Sequence, residues 1–333
     1  MKHYPIQSKG INLLFEINLI GYKNAGESMV LSVKNEYNDI LWCGIIDCFK
    51  YRQYNKTKLI LDEYGYNKDN RKIDFLCISH PDIDHIKSIS RIMNDYTDDN
   101  TMLLMPNFND SRITQTKEII AIKEELKNRF NKKYRRGQVP DNIFFNRQLS
   151  LNNLKWEFLV GTKKFNMQIE ALTPTDSIML NSVNMNYQQF KNDFSICLKI
   201  TFNNNSFLFM GDCSDNVLIR LDEEYIPNNI SYLKMPHHGC KNETIINYFD
   251  NDVIEAVNVS GCAYRKKTTL EETLDFYSQV SNLVSVTADI NLKNNHYQYG
   301  LLKHTFDIQT GELIQEKTKS FGNAILNYNH SRI

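Results

Sequence analysis

Three separate apolar runs in this 333-residue chain each stop at a cluster of carboxylates or histidines, and this pattern constrains the fold more than any other feature. "KIDFLCISHPDIDH" runs into His80, Asp82, Asp84 and His85, "FLFMGD" ends on Asp212, and "ISYLKMPHHG" ends on His237 and His238. Short runs rich in aromatic and branched residues read as buried strands. Pro81 cannot continue a central strand, so the first ligand-rich segment belongs on a loop at a strand's carboxyl end. Strands that finish in this way build a polar site along one sheet edge. Four of the eight histidines fall in two of these short segments, a clustering that random core or surface placement does not produce.

The remaining pattern is mixed α/β. "SMVLSV", a polar "KNEYND" turn and "ILWCGIID" predict a hairpin whose second strand delivers Asp47, expected as a buried hydrogen-bonding residue beside the site. In "FSICLKITF" Phe194, Ile196, Leu198, Ile200 and Phe202 alternate with Ser195, Cys197, Lys199 and Thr201, and the turn Asn203 to Ser206 leads into the run ending at Asp212. Ile119, Ile122, Leu126 and Phe130 recur at helical spacing within Arg112 to Arg136, and "TTLEETLDFYSQV" predicts a second helix with Glu271 and Glu272 in its first turn. No internal repeat or Pro/Gly-rich linker divides the chain. We expect one domain over residues 1–333 with a helical insertion at about 109–150.

Composition narrows the function classes. The formal net charge is zero, so nucleic acid or membrane must be met by a local patch. The apolar stretch near the amino terminus is interrupted by Glu16 and Asn18, too short and polar for a signal peptide or membrane span, and a cytoplasmic protein is expected. Seven scattered cysteines without a C-x-x-C pair predict neither a disulfide framework nor a zinc ribbon.

Imidazole nitrogen and carboxylate oxygen suit zinc, manganese or iron, and the His80 to His85 loop can feed two adjacent ions, His80 and Asp82 facing one, Asp84 and His85 the other. An isolated H-x-D-x-D-H would also suit a solvated turn with capping aspartates. Joined to "GD" and "PHHG" at strand ends, it reads as a metal site. The set "SHPDIDH", "FLFMGD" and "LKMPHHG", in that order, resembles the metallo-β-lactamase superfamily, closest to the hydrolase domain of competence-type DNA-uptake proteins. "GESMVLSV", "WCGIIDC" and "IEALTP" resemble its opening hairpin and a later strand, so the likeness runs from about Ile11 to about Val286.

That resemblance implies a four-layer αββα sandwich and a binuclear centre. His80 and Asp82 would bind the first of two divalent ions, zinc foremost with manganese or iron as alternatives, and Asp84, His85 and His238 the second, with Asp212 bridging. His237 would be a catalytic or substrate contact, although the roles of His237 and His238 could be reversed. The usual third-motif histidine is missing, and Asp193 or Asn192 stands where it would complete the first site. The glycine pair after the first motif is replaced by Lys87 and Ser88. Two ions sharing a water would make hydroxide available near neutral pH, with Asp84 orienting it.

The helix from Arg112 to Arg136 carries nine basic residues against three acids, and Lys132, Lys133, Tyr134, Arg135 and Arg136 form a candidate contact for a nucleic acid or nucleotide substrate. A phosphodiesterase or nuclease is therefore the leading expectation. A hydrolase of a small ester, lactone or phosphocholine-type substrate, or a metal-holding regulatory subunit that works through a protein partner, are the alternatives.

Overall fold

The computed structural model describes residues 5–23, 26–110, 113–133, 142–145, 154–174, 191–219, 229–240, 258–261, 271–289 and 295–328. Among these residues the apolar runs form two eight-stranded sheets. The first sheet contains β1 (Ile6–Ser8), β8 (Leu154–Val160), β9 (Lys163–Ala171), β10 (Leu198–Phe202), β11 (Asn205–Phe209), β12 (Ile230–Lys234), β13 (Asn258–Gly261) and β14 (Leu283–Val286), in that spatial order. The second contains β16 (Lys319–Gly322), β15 (Tyr299–Asp307), β2 (Leu13–Tyr22), β3 (Glu27–Asn35), β4 (Ile40–Ile46), β5 (Phe75–Cys77), β6 (Met102–Met105) and β7 (Ile143–Phe145).

Each sheet changes character along its width. From β2 to β4 and from β8 to β11 neighbours run antiparallel, whereas β4 to β7 and β11 to β14 run parallel. Parallel strands need crossovers, and their carboxyl ends line up on one edge. The expected hairpin of β3 and β4 is present, and β10 turns into β11 through Asn203 in the left-handed region (φ 52°). The carboxyl-terminal stretch adds β15 beside β2 and β16 beside β15, extending the second sheet.

The sheets pack face to face. Phe15, Ile17, Leu31, Val33 and Trp42 from one meet Trp156, Phe158, Leu198, Ile200, Phe202 and Phe207 from the other. Trp42 and Trp156 meet edge to face at 5.6 Å, as do Phe15 and Phe207 at 4.9 Å. Helices cover the outer faces. Those against the second sheet are α1 (Lys56–Glu63), α3 (Ile89–Tyr96) and α4 (Lys117–Lys133), which bury Ile60, Ile92, Ile119, Ile122 and Leu126 against Val30, Ile45 and Leu103. Leu274 and Tyr277 of α6 (Glu271–Val280) and Val217 of α5 (Asp215–Leu218) pack on Leu208 and Leu233 of the first. With both faces covered, all ten residues of β2 are buried, Glu16 and Asn18 included.

Within residues 109–150, α4 lies on the second sheet and β7 forms its edge. Arg129 is held internally, its Nη2 donating to the Met93 carbonyl within α3 (2.6 Å) and to Oγ1 of Thr97, which caps that helix. Of the expected substrate-contact residues, Tyr134, Arg135 and Arg136 lie outside the described residues, as do the side chains of Phe130, Lys132 and Lys133. Cys262 lies outside them too, and the other six cysteines are free thiols. Among the described residues no helix is long and apolar enough to cross a membrane.

Candidate metal centre

The carboxyl ends of β4, β5, β11 and β12 meet at one edge of the sandwich, and they bring the sequence-predicted ligands together. β4 leads to Asp47, β5 leads through Ser79 to His80, β11 leads to Asp212, and β12 leads to His237 and His238. The one-turn helix α2 (Ile83–Ile86) follows, with Asp82 at its N-cap. Asp82 makes no side-chain capping bond; its Oδ2 lies 4.0 Å from His80 Nε2.

Asp212 stands at the middle. Its Oδ2 is 3.8 Å from His80 Nε2, 3.3 Å from His238 Nε2 and 4.0 Å from His237 Nε2, and its Oδ1 is 3.5 Å from His85 Nε2. Asp84 Oδ2 lies 3.7 Å from His238 Nε2. Such separations are too long for good hydrogen bonds. The two shortest, 3.3 and 3.5 Å, lie at the edge length of about 3.4 Å for tetrahedral ligands some 2.1 Å from an ion, and the others are a few tenths of an ångström wider.

A second ring of contacts aims the imidazoles. His85 Nδ1 is 2.8 Å from Asp47 Oδ2 and His238 Nδ1 is 2.9 Å from Glu27 Oε2. A carboxylate only accepts, so Nδ1 carries the proton in both rings and Nε2 presents its lone pair. Ser79 Oγ donates to Asp47 Oδ2 at 2.6 Å and therefore accepts from His80 Nδ1 at 2.9 Å, which fixes the same tautomer there. Glu27, His85, Asp212 and His238 each offer a ligand atom within 4.8 Å of one another, as do Asp47, His80 and His85. Since Glu27 and Asp47 already hold the far side of their imidazoles, we assign them as orienting groups.

The donor set fits divalent ions. His80 Nε2, His85 Nε2 and Asp212 Oδ1 are buried and make no hydrogen bond, a cost of about 1–3 kcal/mol each unless a cation meets them. Burial opposes charge on every group here, and at Asp212, Asp84, Glu27, His85 and His238 opposite charges outweigh it: His238 and His85 hold Asp212 far below the usual carboxylate range. Asp84 is lowered by the same two rings. Lys234 and His238 bring Glu27 down to about 2. Asp212 with Asp47, and Asp212 with Glu27, raise His85 and His238 well above an ordinary imidazole. Burial and the neighbouring His85 lower His80 instead, and burial lowers His237. The field that draws protons onto His85 and His238 is one that also attracts a metal cation.

Backbone strain concentrates at the same edge. Asp47 (φ 59°), His237 (φ 44°) and His238 (φ 60°) are left-handed although none is glycine, and strain of this kind persists where it aims side chains. Gly211 (φ 52°) precedes Asp212 because a Cβ there would strike Ser195 Oγ, which accepts the Asp212 N–H at 2.9 Å.

The predicted third-motif pair divides. Asp193 accepts a hydrogen bond from Ser214 Oγ and enters neither ligand group, whereas Asn192 Nδ2 lies 3.5 Å from His237 Nε2. His237 is about one-third exposed while His80, His85 and His238 are buried, so it faces the approach to the centre. His296 is exposed and His304 lies buried in β15, and neither enters a ligand group. Sequence reasoning missed Glu27 and Lys234, an ion pair at 2.5 Å with both side chains fully buried. The available signal was an acid at the start of a strand buried at all nine positions and a lysine in one buried at all five. Comparison of the chain with protein-family models and with curated protein sequences found no match, so its functional reading rests on this geometry.

Proposed function

We propose that this chain is a metal-dependent hydrolase of the metallo-β-lactamase superfamily whose binuclear centre cleaves phosphodiesters. The observation that carries the reading is the convergence of four imidazole Nε2 atoms on the two oxygens of Asp212. A carboxylate approached on both oxygens suits two ions better than one. His80 and Asp82 would hold the first, Asp84, His85 and His238 the second, and Asp212 would serve both. The layering of helices outside two facing sheets also agrees with that superfamily's sandwich.

Bound divalent ions supply Lewis acidity to phosphoryl oxygens and lower the pKa of water. The chain's own residues supply the rest. Asp84 is half-buried at the edge of the centre and strongly ionised, placed to accept a hydrogen bond from an attacking water and set its direction. Asp47, Ser79 and Glu27 lock three imidazoles in one tautomer, so no reorganisation is needed when charge develops. His237, with the Asn192 amide beside it, is the ring open enough to touch a substrate oxygen.

Elemental mass spectrometry on protein purified without chelator tests the reading together with turnover of bis(p-nitrophenyl) phosphate. Two zinc, manganese or iron ions per chain are expected, lost with turnover in Asp82→Ala and His238→Ala variants that keep the wild-type circular dichroism spectrum. Metal-replete protein that leaves the phosphodiester intact would overturn it.

A further inference from the structure

The loop that leaves the metal centre after Asp47 reads Cys48-Phe49-Lys50-Tyr51-Arg52-Gln53-Tyr54-Asn55-Lys56, cationic and aromatic side chains interleaved, with no acid before Asp62. It is fastened to the centre. The Cys48 N–H donates to the carbonyl of His85 at 2.8 Å, and the Ser88 N–H donates to the carbonyl of Cys48 at 3.1 Å. Asn55 Nδ2 donates to Ser88 Oγ at 2.9 Å.

The far end of the loop rests on the start of β15, where the Tyr54 and Tyr299 rings stack with centroids 5.1 Å apart and planes 22° apart. Cations lie against rings along the way. Lys87 Nζ, two residues past His85, is 5.1 Å from the Phe49 ring, the Arg52 guanidinium is 5.4 Å from Tyr51, and Lys56 Nζ is 5.8 Å from Tyr299. Tyr51, Tyr54 and Tyr299 are half-buried, Arg52 is exposed, and Tyr297, two residues before Tyr299, is 59% exposed.

Packing accounts for only part of this composition. Phe49 is buried in the core on the outer face of the second sheet, and Tyr51, Tyr54 and Tyr299 rest half-buried against that core with their other sides toward solvent, beside the exposed Arg52. Rings that offer a face, set among cations, bind unstacked bases and the phosphates between them. A duplex keeps its base faces stacked inside and would gain only the charges.

We infer that the Lys50 to Lys56 loop, with Tyr297 and Tyr299, is a track for single-stranded nucleic acid that leads its backbone to the metal centre; the inference rests on the phosphodiester reading above. The track, rather than α4, then supplies the local patch that a chain of zero net charge requires.

Fluorescence anisotropy with a fluorescein-labelled phosphorothioate oligothymidylate tests it on the metal-loaded protein, alongside bis(p-nitrophenyl) phosphate turnover. An Arg52→Gln/Tyr297→Ala variant should bind the oligonucleotide about ten-fold or more weakly, with small-substrate turnover unchanged. Arg52→Gln alone should flatten the salt dependence by about 0.7 in log–log slope. Lys123→Gln/Lys127→Gln on α4 should bind as wild type does. Unaltered binding by the loop variant, or equal affinity for duplex, overturns the track while turnover keeps the catalytic reading standing. Variant-sensitive binding without turnover supports the track and overturns that reading, and absence of both overturns both.

Discussion

The two ends of the second sheet both bury carboxylates, but only one end closes on itself. At the end where β4 begins, Glu16 accepts from Lys34 Nζ and Lys303 Nζ, each at 2.7 Å, and from Tyr64 Oη and Asn18 Nδ2. None of these side chains leaves a buried atom without a partner. At the end where β4 stops, His80 Nε2, His85 Nε2 and Asp212 Oδ1 point at one another and make no hydrogen bond. Burial of charge therefore does not mark a site. A satisfied cluster stabilises the fold, whereas converging lone pairs held by an outer ring of carboxylates cost stability and persist where they do chemistry.

Mutation of each end sharpens this contrast. The largest effect belongs to Asp212→Asn, which removes the carboxylate that four imidazoles share; ion affinity measured by competition with a chromogenic chelator should fall by more than about 100-fold. Glu27→Gln and Asp47→Asn should each weaken it by about 10- to 100-fold, because the imidazoles remain but lose their orientation. Affinity unchanged in both would mean the outer ring is only packing.

At the closed end the currency is stability instead. Glu16→Gln leaves Lys34 buried beside a neutral amide and should cost about 3–5 kcal/mol in urea denaturation, with ion content unchanged. A loss of ions in that variant would break the distinction between the two ends. Acid should reveal the same cluster. Burial works against the ionised Glu16, but Lys34 and Lys303 bring its pKa from 4.5 to about 2, so its contribution is complete above about pH 4.5 and is lost as the pH falls toward 2.

The smallest effect is the first met on acidification. Burial alone lowers His304 from 6.5 to about 4, so the folded chain binds fewer protons than the unfolded one between those values. Its stability contribution is present above about pH 6.5 and drains as the pH falls toward 4, by on the order of 3 kcal/mol at the lower limit. A His304→Gln variant should show a flatter fall between pH 6.5 and 4.5 in the same denaturation series, and an identical fall would locate the loss elsewhere.

Much of this was legible from residue order alone. Alternation in "FSICLKITF" reappears as burial at every second residue of β10, the hairpin around "KNEYND" follows from a polar turn between two apolar runs, and the candidate ligands sit at the strand ends marked by Pro81 and Gly211. Other features were not. Asn18 and Glu16 look like interruptions of an apolar stretch, but they sit in a strand covered on both faces and find partners on β3, on Tyr64 just past α1 and on β15. The interleaved loop after Asp47 was readable as composition, but its position was not, because its ties run to His85, Ser88 and Tyr299, far along the chain.

The sequence by itself determined which groups could ligate a cation and that they would sit at strand ends, because apolar periodicity and turn residues act over a few positions. Only the tertiary structure decided which nitrogen of each imidazole faces the centre, since that depends on Glu27, Asp47 and Ser79 reaching across strands. It also decided that Asn192 rather than Asp193 lies beside His237. Tautomer and aim are set by contacts at long sequence separation, and no local pattern encodes them.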